Sequence, residues 1–158
     1  MPIILDEAFA YFKEYYDVHC LDKTVPYDGI EELLNGLKNQ GYKMAIVSNK
    51  QDAPVKELQK KFFSEYISVA IGEQEGMKRK PAPDTVFAAL RELGSSPEHA
   101  VYVGDSDVDF DTANNAGLPC ISVLWGFRDE AFLRKKGTVV FAKNPREVYG
   151  IVEAQILR

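Results

Sequence analysis

Short apolar runs and longer stretches of helical periodicity alternate along this chain. Runs of β-branched and other apolar residues, bounded by turn residues, predict strands at residues 43–47, 67–71, 101–104, 119–124 and 138–141. Apolar residues that recur every three or four positions predict helices starting near residues 6, 30, 83, 107 and 145, with a further helix around residues 55–62. This alternation predicts an α/β fold with a doubly wound, mostly parallel, Rossmann-like sheet.

The first predicted helix, from Asp6 to about Cys20, carries aromatic residues at helical spacing. We interpret this stripe as the face that packs on a core rather than as a ligand surface, with His19 on that face or at its edge. The second histidine, His99, follows a Ser-Pro pair and is expected on a surface loop.

A cluster of acidic residues follows the central predicted strand. The β-branched residues of this strand suit burial on both faces of a sheet, and ligands of open α/β sheets gather just beyond such strand ends. Asp105 and Asp109 lie four residues apart across the turn into the next helix, so both carboxylates are expected in one crevice that suits Mg²⁺. The alternative is a helix cap, with Ser106 at the N-cap and Asp109 at the third helical position. We favour the metal site because four acids between Asp105 and Asp111 repel one another unless a cation or solvent screens them.

Two further polar turns are expected at the same edge of the sheet. Ser48 and Asn49 follow the strand at 43–47, although Ser48 taken alone is better explained as the cap of the next helix. Lys80 precedes Pro81, which restricts the lysine backbone to extended geometry, and Pro83 starts a helix. A hydroxyl, an ammonium and paired carboxylates are the groups needed to hold a phosphoryl group together with Mg²⁺.

The composition is that of an ordinary soluble globular protein, with 158 residues, 46% of them apolar and 27% charged. A net charge of −5 without any basic run argues against nucleic acid as a partner. Cys20 and Cys120 indicate neither a zinc site nor a disulfide framework, which favours a cytoplasmic location. No signal peptide and no membrane-spanning run is recognised. Trp125 and Phe127 either line a pocket mouth or pack in the core, and the sequence leaves both open.

Three motifs resemble those of the haloacid dehalogenase superfamily of phosphatases. They are Val-Ser-Asn-Lys at residues 47–50, Lys-Pro-Ala-Pro at 80–83 and Val-Gly-Asp-Ser-Asp-Val-Asp at 103–109. Within the superfamily, the chain is similar to the phosphoglycolate phosphatase branch. The resemblance implies that Ser48 hydrogen-bonds the transferred phosphoryl group, that Asn49 belongs to the same phosphate site, and that Lys80 stabilises the charge of the phosphoryl group and the nucleophile. It also implies that Asp105 is a ligand of Mg²⁺ and that Asp109 binds the ion or one of its waters.

One motif of the superfamily is missing from the sequence. Asp-x-Asp-Gly-Thr, which supplies the aspartyl nucleophile and the acid/base, does not occur in these 158 residues. The resemblance therefore implies the C-terminal part of a Mg²⁺-dependent phosphomonoesterase for a small phosphorylated metabolite. Residues 1–22 would be a remnant of a helical cap, and residues 23–158 the α/β core. We expect the chain as given to be inactive, and the alternative is a non-catalytic module that binds an anion or a metal.

The missing motif has a consequence for the sheet. In the resembling family, the first strand lies between the strand that ends at Ser48 and the strand that ends at Gly104. Buried unpaired backbone groups cost about 1–3 kcal/mol each, against a domain stability of about 5–15 kcal/mol, so we expect the gap to be filled or closed. Direct pairing of the flanking strands, or strand exchange in a homo-oligomer, is favoured over a surrogate strand formed by residues 2–5.

Overall fold

The structure, a computed structural model, describes Tyr15, His19 and residues 23–156. Its strands are β1 (Ala45–Gln51), β2 (Val69–Glu73), β3 (Tyr102–Gly104), β4 (Cys120–Val123) and β5 (Phe141–Ala142). Its helices are α1 (Ile30–Asn39), α2 (Asp52–Leu58), α3 (Asp84–Leu93), α4 (Asp107–Ala116), α5 (Glu130–Lys136) and α6 (Pro145–Ile156). A π-helical turn (Gln59–Phe63) follows α2, and a 3₁₀ turn (Pro97–His99) precedes β3. The predicted α/β alternation is confirmed.

The described strands pair in parallel and form two sheets. β1 pairs with β2, whereas β3, β4 and β5 form the second sheet in that order. The register of β1 and β2 is regular from Ala45 to Val47, then shifts before Gln51 pairs with Glu73. The polar residues 48–50 lie within this shift, so they interrupt the ladder while remaining in the strand.

Apolar clusters hold the helices against both sheets. The first cluster joins α1 and α6 to the second sheet through its buried residues, which are Leu37, Ile121, Val123, Ala142, Val148 and Val152. In α3, Val86 and Leu90 pack with Tyr102 of β3, and Ala88 and Ala89 pack with β2. Helix α3 therefore bridges the two sheets.

The inner edges of β1 and β3 do not pair with each other. The prediction of direct closure is therefore wrong, because α3 packs on both sheets and holds their strands in separate positions. Val103 of β3 is 43% exposed, so the prediction that this strand is buried on both faces is also wrong. Residues 2–5 lie outside the described residues, and strand exchange between chains stays a prediction.

Three local predictions have different outcomes. The predicted first helix lies outside the described residues apart from Tyr15 and His19, which are helical and exposed, with ring centroids 4.2 Å apart. The placement of His19 on a packed face is thus wrong, whereas His99 is exposed as predicted. The strand predicted at 138–141 is reduced to β5, and Val139 is 81% exposed because it precedes the paired residues.

Helix ends follow the capping signals in the sequence. At the start of α6, Asn144 Oδ1 accepts a hydrogen bond from the Glu147 N–H (3.0 Å), and the Glu147 carboxylate accepts one from the Lys143 N–H (2.8 Å). Helix α4 ends at Gly117 with a φ of 74°, a left-handed conformation that favours glycine. Within the described ranges, the structure contains no helix of the length and apolarity that a membrane crossing requires.

Asp52 connects the start of α2 to the end of β2. Its Oδ1 accepts hydrogen bonds from the Gly72 N–H and the Gln74 amide, both at 2.9 Å, and its Oδ2 accepts one from Lys56 Nζ at 2.6 Å. Partial burial alone would raise the pKa of Asp52, but these donors and the Lys56 charge outweigh it and lower the pKa. The ionised carboxylate therefore joins the start of α2 to the end of β2 by hydrogen bonds.

Candidate active site

The turn from β3 into α4 folds around the carboxylate of Asp109. Ser106 is the N-cap residue, and its Oγ accepts a hydrogen bond from the Asp109 N–H (3.3 Å). The same hydroxyl donates to Asp109 Oδ2 (2.7 Å), which also accepts from the Asp105 N–H (3.2 Å). A Cβ on Gly104 would overlap the Asp109 side chain, so the close approach requires glycine. The capping arrangement considered from the sequence is therefore present.

The other oxygen of Asp109 belongs to a compact polar cluster. Asp109 Oδ1 accepts from Lys80 Nζ at 2.6 Å and from the Tyr102 hydroxyl at 3.0 Å, and Lys80 Nζ also donates to Tyr102 Oη at 3.1 Å. The side chains of Lys80 and Asp109 are 11% and 10% exposed. Counting Ser106 and the Asp105 N–H, four donors occupy the carboxylate, which is about its full acceptor capacity.

This environment keeps Asp109 ionised and Tyr102 protonated. Burial alone would raise the pKa of Asp109, but the Lys80 charge and the hydrogen bonds from Lys80, Ser106 and Tyr102 hold that pKa below its ordinary value. Burial, and next the Asp109 charge, raise the pKa of the Tyr102 hydroxyl far above its ordinary value. The cluster is thus a buried ion pair with a neutral phenol as its third member.

Asn49 fixes the backbone of Lys80. Its side-chain Oδ1 accepts from the Lys80 N–H (2.8 Å), and its Nδ2 donates to the Lys80 carbonyl (3.2 Å). Ser48 does not cap α2, whose N-cap is Gln51 without a side-chain hydrogen bond. Instead, Ser48 Oγ accepts from the Lys50 N–H at 3.1 Å within the irregular part of β1. The predicted edge therefore brings Asn49 against Lys80, whereas the hydrogen bond of the Ser48 hydroxyl lies within β1.

Asp105 faces the loop that follows β4. Its Oδ2 accepts from the Phe127 N–H (2.9 Å), and its carbonyl accepts from the Arg128 N–H (3.1 Å). A Cβ on Gly126 would overlap the Asp105 carboxylate, so a glycine is needed for this approach. Trp125 packs against the first apolar cluster, which is one of the two roles left open by the sequence, whereas Phe127 is 71% exposed and its role at a pocket mouth stays a prediction.

The carboxylates fit part of a magnesium site. Asp105 Oδ1 accepts no hydrogen bond from the described residues, and one or two carboxylates with water and substrate oxygens are a common donor set for Mg²⁺. Because four donors fill the Asp109 carboxylate, it would have to release one of them before it bound either a metal or a metal-bound water. Among the described residues, no three acidic, histidine or cysteine side chains converge on a complete metal site. The donor set thus supports Asp105 as a ligand within an incomplete centre.

Several residues of this site were not found from the sequence. The hydrogen bonds of the Tyr102 hydroxyl could not be predicted from the sequence, because Tyr102 lies in an apolar run where packing alone explains the burial of its ring. Arg128 donates to Asp107 Oδ1 (3.1 Å) and lies 4.5 Å from the ring centroids of Phe127 and Phe132, a contact between distant turns. Its position after Gly126 in a loop at the sheet edge was the available signal.

Comparison with known proteins shows what this arrangement is similar to. A family profile described as haloacid dehalogenase-like hydrolase matches residues 5–123. The phosphoglycolate phosphatase of Aquifex aeolicus is 35% identical over 127 residues, which cover 77% of this chain and 58% of that protein. The pyrophosphatase PpaX of Listeria monocytogenes is 30% identical over 128 residues, which cover 80% of this chain and 59% of that protein.

A solved structure agrees over nearly all of this chain. The crystal structure of a protein assigned as a phosphoglycolate phosphatase, from Lactobacillus delbrueckii, superposes with a TM-score of 0.91 at 36% identity. The match covers 96% of this chain and 64% of that one. The chain therefore spans about three fifths of the length of these relatives. The family profile covers most of the sequence, and the motifs at 47–50, 80–83 and 103–109 meet in space, so the chain belongs to the haloacid dehalogenase-like hydrolase family.

Proposed function

We propose that this chain supplies the phosphate- and magnesium-binding part of a phosphomonoesterase of the phosphoglycolate phosphatase type. The observation that carries the proposal is the position of Lys80, whose backbone is fixed by Asn49 and whose ammonium is held at Asp109. A preorganised cation at the end of parallel strands suits a transferring phosphoryl group, because charge on its oxygens must be stabilised there. A small phosphorylated metabolite is the substrate class that we assign.

The side chains take distinct roles in this proposal. The Ser48 hydroxyl and the Asn49 N–H groups that Lys80 does not use hydrogen-bond the phosphoryl oxygens. Lys80 neutralises their charge, and Asp109 keeps the lysine in place. Asp105 would be a ligand of Mg²⁺, and Asp109 would bind the ion or one of its waters once one of its four donors has moved away. Bound Mg²⁺ would withdraw charge from the phosphoryl group.

The nucleophile is the missing part. No Asp-x-Asp-Gly-Thr sequence occurs in the 158 residues, and we propose that the chain alone has no turnover for this reason. We also propose that residues 1–22 belong to a helical cap, that residues 23–158 form the catalytic core and that the protein acts in the cytoplasm. The inner edges of β1 and β3, which pair with no strand of the described residues, offer the place where a strand carrying the nucleophile would pair.

Complementation tests the proposal. The chain is mixed with a synthetic peptide in which an apolar strand precedes Asp-x-Asp-Gly-Thr, and phosphate release from 2-phosphoglycolate and from pyrophosphate is measured with and without Mg²⁺. We expect no turnover by the chain alone and Mg²⁺-dependent turnover with the peptide. Activity should disappear in Lys80→Met and with a peptide that carries Asn for the first Asp. It should persist in Lys78→Met, a control that removes an exposed lysine two residues away.

The missing nucleophile also favours a second candidate, a module that binds phosphate without chemistry. A titration with inorganic phosphate separates the two. Binding without turnover in the complemented chain would support the module, whereas absence of binding would contradict both functions. Turnover by the chain alone, lost in Asp105→Asn, would contradict the proposed need for an external nucleophile.

A further inference from the structure

Tyr102 has a feature that packing does not explain. Its ring is buried, with 7% of the residue exposed, among apolar side chains of α3 and α4. A phenylalanine would fill the same space, yet the hydroxyl lies within hydrogen-bond distance of both members of the Lys80–Asp109 pair. The polar end of a core residue therefore enters the candidate active site.

The hydroxyl completes a triangle with the ion pair. It has one proton, which it donates to Asp109 Oδ1 at 3.0 Å, and its lone pair accepts from Lys80 Nζ at 3.1 Å. Lys80 Nζ in turn donates to Asp109 Oδ1 at 2.6 Å. Each of the three groups thus contacts the other two, and the rigid ring fixes one corner of the triangle.

This arrangement determines where the remaining lysine proton points. An ammonium has three N–H donors in tetrahedral directions. Within the described part of the chain, Asp109 Oδ1 and Tyr102 Oη take two of them. A single acceptor holds the ammonium only as firmly as the flexible lysine stem allows, whereas two acceptors, together with the Cε–Nζ bond, fix three of its four directions and therefore that of the third N–H.

We propose that Tyr102 is a positioning residue that aims the third N–H of Lys80 at the phosphoryl group. The inference rests on the proposed function for the identity of the anion. The contact between Tyr102 and Lys80 does not depend on that function, because all three side chains of the triangle belong to this chain. The proposal predicts a loss of order at Lys80 and weaker anion binding when the hydroxyl is removed.

The first measurement is the mobility of the lysine ammonium groups in the 158-residue chain, by ¹⁵N NMR. Lys56 is the internal reference, because its ammonium has one carboxylate partner among the described residues, Asp52, at 2.6 Å. We expect the Lys80 ammonium, assigned by its absence in Lys80→Met, to be markedly more ordered than that of Lys56. Equal mobility of the two groups in the unmodified chain would overturn the proposal without any variant at Tyr102.

The second measurement compares Tyr102→Phe with Tyr42→Phe. Tyr42 is partly buried and packs against the first apolar cluster, so its variant controls for loss of a hydroxyl elsewhere. We expect Tyr102→Phe to mobilise the Lys80 ammonium and to weaken binding of inorganic phosphate about three- to tenfold, the scale of one net hydrogen bond. Tyr42→Phe should change neither quantity.

The outcomes separate this inference from the proposed function. If Tyr102→Phe lowers stability but leaves the order of Lys80 unchanged, the tyrosine is merely structural and the inference is wrong. If the unmodified chain binds no inorganic phosphate, the proposed function fails, while the ammonium mobilities still decide whether Tyr102 positions Lys80.

Discussion

Replacing Lys80 by methionine keeps most of the aliphatic stem and removes the ammonium from the buried cluster. Breaking a buried ion pair by removing one partner costs about 3–5 kcal/mol. Asp109 keeps three donors, from Tyr102, Ser106 and the Asp105 N–H, so we expect the lower end, about 3 kcal/mol. With a urea m-value of about 2 kcal/mol/M, this loss lowers the unfolding midpoint by about 1.5 M.

A double-mutant cycle isolates the interaction between the two side chains. The free energy of unfolding is measured in urea for Lys80→Met, Asp109→Asn and the double variant, with fluorescence of Trp125, the single tryptophan, as the signal. The double variant should be less destabilised than the sum of the single variants, by about 2 kcal/mol, because the two side chains are in direct contact.

A control variant and a minimum coupling energy decide whether the cycle supports a strong Lys80–Asp109 interaction. Lys56→Met removes a more exposed ion pair with Asp52 and should cost about 1 kcal/mol or less. If Lys80→Met costs no more than Lys56→Met, or if the coupling energy is below about 0.5 kcal/mol, then the Lys80–Asp109 pair is not the strong contact that its distance and burial indicate.

Three further predictions concern other sites. Thr85→Val should raise the free energy of unfolding by about 1 kcal/mol in urea, because the buried Thr85 hydroxyl has no hydrogen-bond partner among the described residues. Asp52→Asn should lower the free energy of unfolding by about 1 kcal/mol at pH 7. Because the pKa of Asp52 is lowered in the folded chain, this loss relative to the unmodified chain persists above about pH 4 and fades as the pH falls through the folded pKa. Urea unfolding at several pH values measures it. Gly126→Ala should weaken Mg²⁺ binding in a calorimetric titration because its Cβ displaces the Asp105 carboxylate. Gly150→Ala should leave binding unchanged, because beyond its own helix turn its Cβ would meet no described atom within 4 Å.

Elements with strong periodicity or capping signals were predictable. Helix α6 begins where Asn144 and Pro145 indicate, and α4 begins after Ser106, because these local signals act within one turn. The parallel strands could be predicted because short apolar runs bounded by turn residues are typical of buried strands and are too short for most helices. The strand at 138–141 was overestimated, since its apolar residues gave no sign that contact with β4 would begin at the Val140 carbonyl and leave Val139 exposed.

The candidate site was predictable as a set of residues but not as a set of contacts. The residues that the sequence motifs identify are Ser48, Asn49, Lys80, Asp105 and Asp109. The saturation of Asp109 could not be predicted, because two of its four donors come from residues of the same turn and two from distant ones. The same holds for the exposure of Val103, which depends on which strands pair.

The paired contacts between the Asn49 side chain and the Lys80 backbone affect how the loop can vary. The primary amide of Asn49 accepts from the Lys80 N–H and donates to the Lys80 carbonyl, which are the two kinds of hydrogen bond that a neighbouring β-strand would make. The side chain of a β1 residue thus fixes the Lys80 backbone in the way that strand pairing would. The position of the lysine is consequently set by a strand 31 residues earlier and not by the length of residues 74–79. Insertions or deletions at its exposed residues Glu75 and Gly76 can change the shape of the segment while the cation stays in place.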